Sequence, residues 1–316
     1  MRLLETHEAP EARGGQTGPE RVLRTTFACN QRCPFCFVTL TGRRAELAEI
    51  ERELDSLVQL CGFGGELTLS GGEPTADPRL LDIVASARQR GFRRFVLQTN
   101  GVFLARPGLL EGLIRFGVRC YMVSFHSHRP TFYDKITGSS KQYALAVAGL
   151  TRLLGARGCR VIVNVVVNAW NYRDLPGLMG FLARLRPGRR PEICFSMINE
   201  AGHEKAPSCA VSLERVGPPL RRALEICRRE GLRVDRFTGG SAFPVCLLNT
   251  PGRYADLRRV PQNRVRYAED FPEDTGGRAK RPDCRRCAYD AHCIGVPASY
   301  ARIFGLAALR IPPAHG

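Results

Sequence analysis

Three of the 13 cysteines lie on one short segment, Cys29, Cys33 and Cys36, in the pattern C-x3-C-x2-C. Three thiolates on one loop can bind three irons of a cubic iron–sulfur cluster and leave the fourth iron open to another ligand. A zinc ion normally takes four protein ligands, or three and a water. The spacing therefore indicates an iron–sulfur site with one open coordination position.

A second group of cysteines stands near the C-terminus. Cys284, Cys287 and Cys293 form a C-x2-C-x5-C pattern, and Cys246 lies 38 residues before the first of them. Four thiolates would complete either a zinc site or a second [4Fe–4S] cluster. We expect Cys246 to be the fourth ligand, with Cys227 or an open iron as the alternatives.

The cysteine count also bears on the cellular compartment. The number is odd, and the polar stretch from Met1 to Glu20 contains no apolar signal region, so a secreted disulfide framework is not expected. No apolar run approaches the ~18 residues that a membrane span needs. We therefore expect a cytoplasmic protein with reduced thiols and no membrane partner.

The formal net charge is +17, and the basic residues are spread along the chain rather than collected in one tail or helix. Such a distribution is typical of an arginine-rich surface and does not indicate a nucleic-acid partner.

Strand and helix patterns alternate through the first two thirds of the chain. Short apolar runs predict six strands, at residues 21–27, 66–70, 94–98, 119–125, 160–167 and 192–198. Helical periodicity between and after them predicts six helices, at residues 45–61, 78–87, 107–116, 142–154, 175–185 and 213–229.

Six strand–helix units predict an α/β fold in which a parallel sheet is covered by helices, either as a partial (β/α)6 barrel of the TIM type or as an open sheet. In both cases ligands bind at the carboxyl ends of the strands. We expect a flexible arm over residues 1–20, the barrel over 21–230, and a small irregular iron–sulfur domain over 231–316.

Motifs follow several of these strands. The first cysteine group follows strand one, the sequence Ser70-Gly-Gly-Glu-Pro74 follows strand two, and Gln98-Thr-Asn-Gly101 follows strand three. Ser124 ends strand four, and Asn164 lies on strand five. This arrangement resembles the radical S-adenosylmethionine (radical SAM) enzymes from about Val22 to Gly202.

The resemblance implies a set of cofactors and contacts. Cys29, Cys33 and Cys36 would hold a [4Fe–4S] cluster whose open iron binds S-adenosylmethionine. The residues implied as S-adenosylmethionine contacts are Phe35, Gly71, Gly72, Glu73, Thr99, Asn100, Ser124 and Asn164. One electron, from a donor such as flavodoxin or ferredoxin, would cleave the cofactor to a 5′-deoxyadenosyl radical that abstracts hydrogen from a substrate.

The C-terminal cysteines resemble part of the auxiliary-cluster domains called SPASM, or twitch in their shorter form. The full SPASM pattern continues with further cysteines, but position 297 is Pro and no Cys follows Cys293. The resemblance therefore implies one auxiliary [4Fe–4S] cluster, which would accept an electron from the oxidised substrate.

The substrate stays open between two classes. Auxiliary-cluster domains are common in enzymes that oxidise or crosslink a peptide side chain, and we favour that class slightly. The alternative is a small-molecule dehydrogenase or epimerase acting on a sugar, aminocyclitol or nucleoside. His126 follows strand four and is the candidate catalytic residue, with a hydrogen-bonded structural histidine as the alternative.

Overall fold

The computed structural model describes residues 4–8, 19–61, 66–185, 188–198, 206–234, 243–248, 266–267, 278–290, 293 and 295–310. Its strands are β1 (Leu4–Glu8), β2 (Pro19–Thr26), β3 (Glu66–Gly71), β4 (Arg94–Thr99), β5 (Val118–Ser124), β6 (Arg160–Val166), β7 (Glu192–Ser196), β8 (Arg233–Val234), β9 (Arg266–Tyr267), β10 (Arg278–Ala279) and β11 (Val296–Pro297). Its α-helices are α1 (Leu47–Cys61), α2 (Leu80–Gln89), α3 (Leu109–Arg115), α4 (Pro130–Thr137), α5 (Tyr143–Gly155), α6 (Leu175–Arg184), α7 (Ala206–Cys209), α8 (Leu213–Glu230) and α9 (Ala298–Phe304).

A single nine-stranded sheet organises the molecule, in the order β8-β7-β6-β5-β4-β3-β2-β1-β9. Strands β2 to β8 are parallel, each paired with the next along the chain. This confirms the predicted partial barrel and its six strands. The seventh parallel strand, β8, was not predicted because two residues are too short to show any periodicity.

The N-terminal segment adds two strands to the sheet. Strand β1 pairs antiparallel with β2, and β9 pairs with β1 on the outer side. The flexible arm over residues 1–20 stays a prediction; within it Leu4–Glu8 form β1, β2 begins at Pro19, and the other residues lie outside the described ones. The pairing occupies backbone groups of β2 that would otherwise lie at an exposed sheet edge.

Apolar residues explain why the helices cover the sheet. In α1, Ile50, Leu54 and Leu57 are fully buried, which is the spacing of one helical face. They join Leu67 and Leu69 of β3 in the main core cluster. No helix in the described part of the chain is long and apolar enough to cross a membrane.

Helix α4 was also missed from the sequence. It begins with Pro130 at its first position and ends at Gly138, which has a left-handed φ of 56°. A Cβ at Gly138 would lie 2.3 Å from the carbonyl oxygen of Arg32, so this turn is packed tightly against the first cysteine loop. The helix is only eight residues long, too short for a clear periodic signal.

The described C-terminal residues pack on the barrel. Phe243, Leu247 and Val296 belong to the same core cluster as the sheet. The hydroxyl of Tyr300 in α9 accepts a 2.8 Å hydrogen bond from the backbone N–H of Leu213, the first residue of α8. The boundary predicted between residues 230 and 231 stays a prediction.

Candidate active site

One cavity of about 210 Å³ opens at the carboxyl ends of the barrel strands. Every barrel residue predicted for the site lines it: Cys29, Cys33, Phe35, Cys36, Gly71, Gly72, Glu73, Thr99, Asn100, Ser124, His126 and Asn164. The structure therefore brings together residues from five strand ends that are far apart in sequence. Their roles as ligands stay predictions.

The thiol loop, residues 29–36, is anchored on the α4–α5 region. The backbone N–H of Arg32 donates to the carbonyl oxygen of Thr137 at 2.8 Å, and the Cys33 Sγ lies 3.9 Å from the same oxygen. The side-chain amide of Gln142 makes two hydrogen bonds to the loop. Its Oε1 accepts from Asn30 Nδ2 at 2.8 Å, and its Nε2 donates to the backbone carbonyl of Asn30 at 2.9 Å. These contacts hold the loop in place through the fold itself.

A buried tyrosine adds to this anchor. The Gln31 amide donates to the Tyr133 hydroxyl at 2.9 Å, and burial raises the pKa of that hydroxyl above its usual range. The loop is thus fixed by neutral polar partners, which do not titrate near neutral pH.

Burial dominates the electrostatics of the three thiols. It raises the pKa of Cys29 to about 11, and it raises the pKa values of Cys33 and Cys36 as well. A bound metal centre stabilises the thiolate form and offsets this cost, so three thiols directed at one cavity fit an iron–sulfur cluster. In the part of the chain that the structure describes, no three His, Cys, Asp or Glu side chains are close enough to hold a single metal ion as they stand.

Gly71, the last residue of β3, and Gly72 after it are required by a close contact between backbones. A Cβ at Gly71 would lie 2.2 Å from the Thr26 oxygen, and one at Gly72 would lie 2.2 Å from the Ala28 oxygen. Gly72 N–H instead donates to Thr26 O at 2.7 Å. Gly71 and Gly72 were predicted to admit a ligand, but their glycine identity is already explained by the packing of this loop on the end of β2.

Glu73 is an internal anchor. Its carboxylate is buried and accepts hydrogen bonds from Thr99 Oγ1 at 2.7 Å, from the Asn100 N–H at 2.6 Å and from both the N–H and the hydroxyl of Thr75. Burial raises the pKa of this carboxyl. Oε1 accepts three of these hydrogen bonds and Oε2 accepts one, so the carboxylate holds the loops after β3 and β4 together. Its contact with S-adenosylmethionine stays a prediction.

Asn100 extends that anchor to the thiol loop. Its Oδ1 accepts from the Val102 N–H at 3.1 Å, and its Nδ2 donates to Asn30 Oδ1 at 2.8 Å. Thr99 Oγ1 accepts from the Gly101 N–H at 3.0 Å as well as donating to Glu73. The side chains of Thr99 and Asn100 are therefore bonded within the protein, and their predicted contact with a ligand stays a prediction.

Polar side chains on strands β4, β5 and β6 keep hydrogen-bonding groups free for a ligand. The Oδ1 of Asn164 accepts from Ser196 Oγ at 2.7 Å, and the Oε1 of Gln98 accepts from Ser70 Oγ at 2.7 Å. Among the described residues, the side-chain NH2 groups of Asn164 and Gln98 and the hydroxyl of Ser124 have no hydrogen-bond partner, so these three groups can bind a ligand.

Several cavity residues were missed from the sequence. They are Gln31, Phe37, Val38, Ser70, Gln98, Met122, Val166, Ser196 and Met197. Ser70 and Gln98 are the first residues of two of the motifs, and Ser196 ends β7. Because side chains alternate between the two faces of a strand, their positions indicated which of them face the cavity.

His126 is buried in the cavity wall. Its Nδ1 accepts from the Val166 N–H at 3.2 Å, and its ring meets the Phe35 ring edge-on at 5.3 Å. Burial lowers its pKa to about 4. The imidazole is therefore neutral near pH 7 with its proton on Nε2, a hydrogen-bond donor rather than a carrier of positive charge.

The four C-terminal cysteines line a second, smaller cavity, together with Lys280, Asp290 and Arg310. Burial, with a smaller contribution from the nearby Cys293 and Cys284, raises the pKa of Cys246 to about 11. Cys227, the alternative fourth ligand, is fully buried in the main core on α8. The placement favours Cys246 as the partner of the C-x2-C-x5-C segment.

Comparisons with known proteins agree with this architecture. The family model described as "Radical SAM superfamily" matches residues 23–182, half of the chain. Fe-coproporphyrin III synthase of Methanosarcina barkeri is 29% identical over 265 residues, covering 80% of this chain and 61% of the relative. PqqA peptide cyclase of Gluconobacter oxydans is 29% identical over 220 residues, covering 67% of this chain and 59% of the relative. The chain thus spans about three fifths of the length of these relatives.

Solved structures show the same fold. Streptococcus suis SuiB bound to its precursor peptide SuiA aligns with a TM-score of 0.53 at 15% identity, over 67% of this chain and 47% of that one. The enzyme anSMEcpe with bound AdoMet aligns with a TM-score of 0.54 at 13% identity, over 68% of this chain and 63% of that one. At such identities the likeness shows the fold alone.

Proposed function

This chain belongs to the radical SAM superfamily, and we propose that it oxidises or crosslinks a peptide side chain with the help of one auxiliary iron–sulfur cluster. Membership in the family implies a [4Fe–4S] cluster and S-adenosylmethionine as cofactors. The observation that carries the proposal is the presence of two separate thiol sets, each lining its own cavity.

The thiol loop and its cavity provide the binding groups. Cys29, Cys33 and Cys36 would hold the first cluster, and the side chains of Ser124 and Asn164 would hold S-adenosylmethionine. The bound cofactors supply a 5′-deoxyadenosyl radical, which removes a hydrogen atom from the substrate.

The protein's part is to position groups and to exclude water. Phe35, Met122, Val166 and Met197 form apolar walls of the cavity, which limits side reactions of a radical with solvent. His126 directs a neutral N–H toward the same space and can orient an oxygen acceptor on a ligand. The anchored loops keep these groups fixed during the reaction.

The C-terminal thiols support an oxidative outcome. Cys246, Cys284, Cys287 and Cys293 would hold the auxiliary [4Fe–4S] cluster, which when bound can accept one electron. With four cysteines available, every iron of that cluster can have a protein ligand, which favours electron transfer over direct binding of substrate.

A peptide is the substrate class that we favour, and the similarity to PqqA peptide cyclase, by its name an enzyme of a peptide, supports it. A second candidate class is a precursor of an iron porphyrin, because the match to Fe-coproporphyrin III synthase, by its name an enzyme that makes one, covers 80% of this chain. Both classes are compatible with a cavity at the barrel mouth.

The test is anaerobic turnover of the reconstituted protein with S-adenosylmethionine and dithionite, followed by detection of 5′-deoxyadenosine. We expect its formation in the wild type and its loss when Cys29, Cys33 and Cys36 are replaced by Ala. To decide between the two substrate classes, the protein is then given either candidate peptides encoded near the gene or iron–coproporphyrin precursors. Mass spectrometry shows which addition yields a product of altered mass. Absence of 5′-deoxyadenosine in the wild type would refute the proposed chemistry.

A further inference from the structure

We propose that Arg32, Lys135 and Lys141 form a docking face for an acidic one-electron carrier protein. The inference rests on the proposed function, because it assigns the surface through which the thiol loop receives its electron. We refer to these three residues as the basic face.

The basic face lies directly on the thiol loop. Arg32 stands between Cys29 and Cys33, and its side chain is exposed. Its backbone N–H is bonded to Thr137, the last residue of α4, and Lys135 is exposed on that same helix. A protein bound here therefore touches the loop itself, without intervening secondary structure.

Lys141 is held at the same face by an unusual backbone. It has a left-handed φ of 60°, the single positive value at a non-glycine residue among those described. Such a conformation is strained for a residue with a side chain and persists only where neighbouring contacts determine it. The neighbour is Gln142, whose amide makes the two hydrogen bonds to Asn30. The turn thus fixes an exposed lysine beside the loop.

The charges of the basic face have no acidic partner in the described part of the chain. Within the described residues, Arg32, Lys135 and Lys141 form no ion pair, whereas most ion-paired arginines on the barrel have an acidic partner within 3 Å, as in Arg79–Asp77, Arg90–Asp55 and Arg152–Glu111. Among these residues, the Arg32 guanidinium donates only to the carbonyl oxygens of Cys29 and Gln31, which keeps its positive charge on the loop. Asp134 is the one acidic residue between positions 129 and 142.

Uncompensated charge suits a transient partner of opposite sign. Unpaired basic side chains raise the rate at which an acidic protein encounters this surface, and the exposed lysines keep their hydration until contact. Lys135 also lies over the Trp170 ring, 5.0 Å from its centre, which keeps the ammonium on this face.

The face is separate from the cavity. None of the residues from 129 to 142 lines it, so a carrier and a substrate can be bound together. In the transfer, the carrier loses one electron and the metal centre held by the thiol loop gains it, with no bond formed or broken.

The experiment compares three double variants with the wild type, using purified acidic flavodoxin and ferredoxin as probes. The test variant is Lys135→Glu with Lys141→Glu. The charge-preserving variant is Lys135→Arg with Lys141→Arg. The matched control is Arg94→Glu with Arg157→Glu, two exposed residues at the opposite, amino ends of the strands. Iron content and thermal unfolding establish that all four proteins are equally folded and loaded.

Two readouts are made on each protein: the Kd of the oxidised carrier as a function of salt, and the rate at which reduced carrier is oxidised by the reconstituted protein. We expect the test variant to weaken binding and slow the transfer at least about tenfold at low salt, with the difference shrinking as ionic strength rises. The arginine variant and the control should stay within about twofold of the wild type.

Formation of 5′-deoxyadenosine with dithionite distinguishes the possible failures. Suppose that all four proteins form 5′-deoxyadenosine equally with dithionite, but the test variant and the control have the same Kd and transfer rate with both carriers. The docking face is then refuted and the proposed function stands. If dithionite fails with the wild type, the proposed function is refuted, and the docking face with it.

Discussion

The thiol loop and the C-terminal cysteines present similar thiols that are held in different ways. The loop is bound to the barrel by side-chain amides, a buried tyrosine and backbone contacts to α4. The C-terminal cysteines lie on short elements, where the described contacts are mainly local, such as Cys287 N–H to Cys284 O at 2.9 Å and Lys280 to Asp290 at 2.7 Å. The first region is organised by the fold, and we expect the second to need a bound metal centre to complete it.

Removal of the metal should produce the largest difference in hydrogen exchange between the two regions. When iron is chelated, we expect hydrogen exchange to rise at least about tenfold at residues 284–290 and much less at residues 29–36, because only the former lose their main support. The measurement is exchange followed by mass spectrometry, with strand β3 as the internal reference. Equal loss of protection in both regions would contradict the distinction.

Gly72→Ala should strongly destabilise the first region. The new Cβ would meet the Ala28 carbonyl at 2.2 Å, so backbone must move, and we expect a loss of about 3 kcal/mol or more in unfolding free energy. Chemical denaturation of the metal-free protein measures it.

Gly180→Ala is the matched control, because its Cβ would meet only the flexible end of Arg184 at 3.2 Å. This helical substitution should be neutral or stabilising by up to about 1 kcal/mol. A similar cost for both glycines would show that the contact between the loop and β2 is not what requires Gly72.

Glu73→Gln tests the buried anchor. An amide offers one acceptor oxygen where the carboxylate offers two, so a donor among Thr75, Thr99 and Asn100 is left unpaired. We expect a loss of about 1–3 kcal/mol in unfolding free energy. Glu51→Gln, at an exposed position of α1, should change stability by less than about 0.5 kcal/mol. An unchanged Glu73 variant would mean that the loops do not depend on this carboxylate.

His126 gives the first region a pH dependence of known sign. Its pKa is about 4 in the folded protein and 6.5 in the unfolded chain, so the unfolded state binds more protons between these values. Stability should fall as the pH drops from 6.5 to 4, by up to about 1.4 kcal/mol per pH unit, and be unaffected by this group above that window.

His126→Asn keeps an acceptor for the Val166 N–H but removes the titration. The variant should therefore lose less stability than the wild type on acidification through the same window, as measured by denaturation of the metal-free protein at several pH values. Parallel curves for the two proteins would show that His126 is not buried in its neutral form.

The sequence predicted which residues meet at the cavity better than it predicted what each does there. Cysteine spacing and the motifs after the strands identified twelve residues that line one cavity. Glu73 and Asn100 nevertheless turned out to be bonded within the protein, because a motif specifies residue types but not which hydrogen bonds the folded loops complete. Helix α4 was missed for a related reason: its main contact, the turn at Gly138 against Arg32, is made across 106 residues of chain and leaves no local pattern.

The most direct test of the two-site account is the iron and sulfide content after anaerobic reconstitution. We predict about eight iron atoms per wild-type chain, as two cubane clusters require, and about four when Cys29, Cys33 and Cys36 are replaced by Ala. Replacing Cys284, Cys287 and Cys293 by Ala should likewise leave about four. About four iron atoms in the wild type, falling to none in the first variant and accompanied by zinc, would contradict the auxiliary cluster, and no iron in any of the proteins would refute the account.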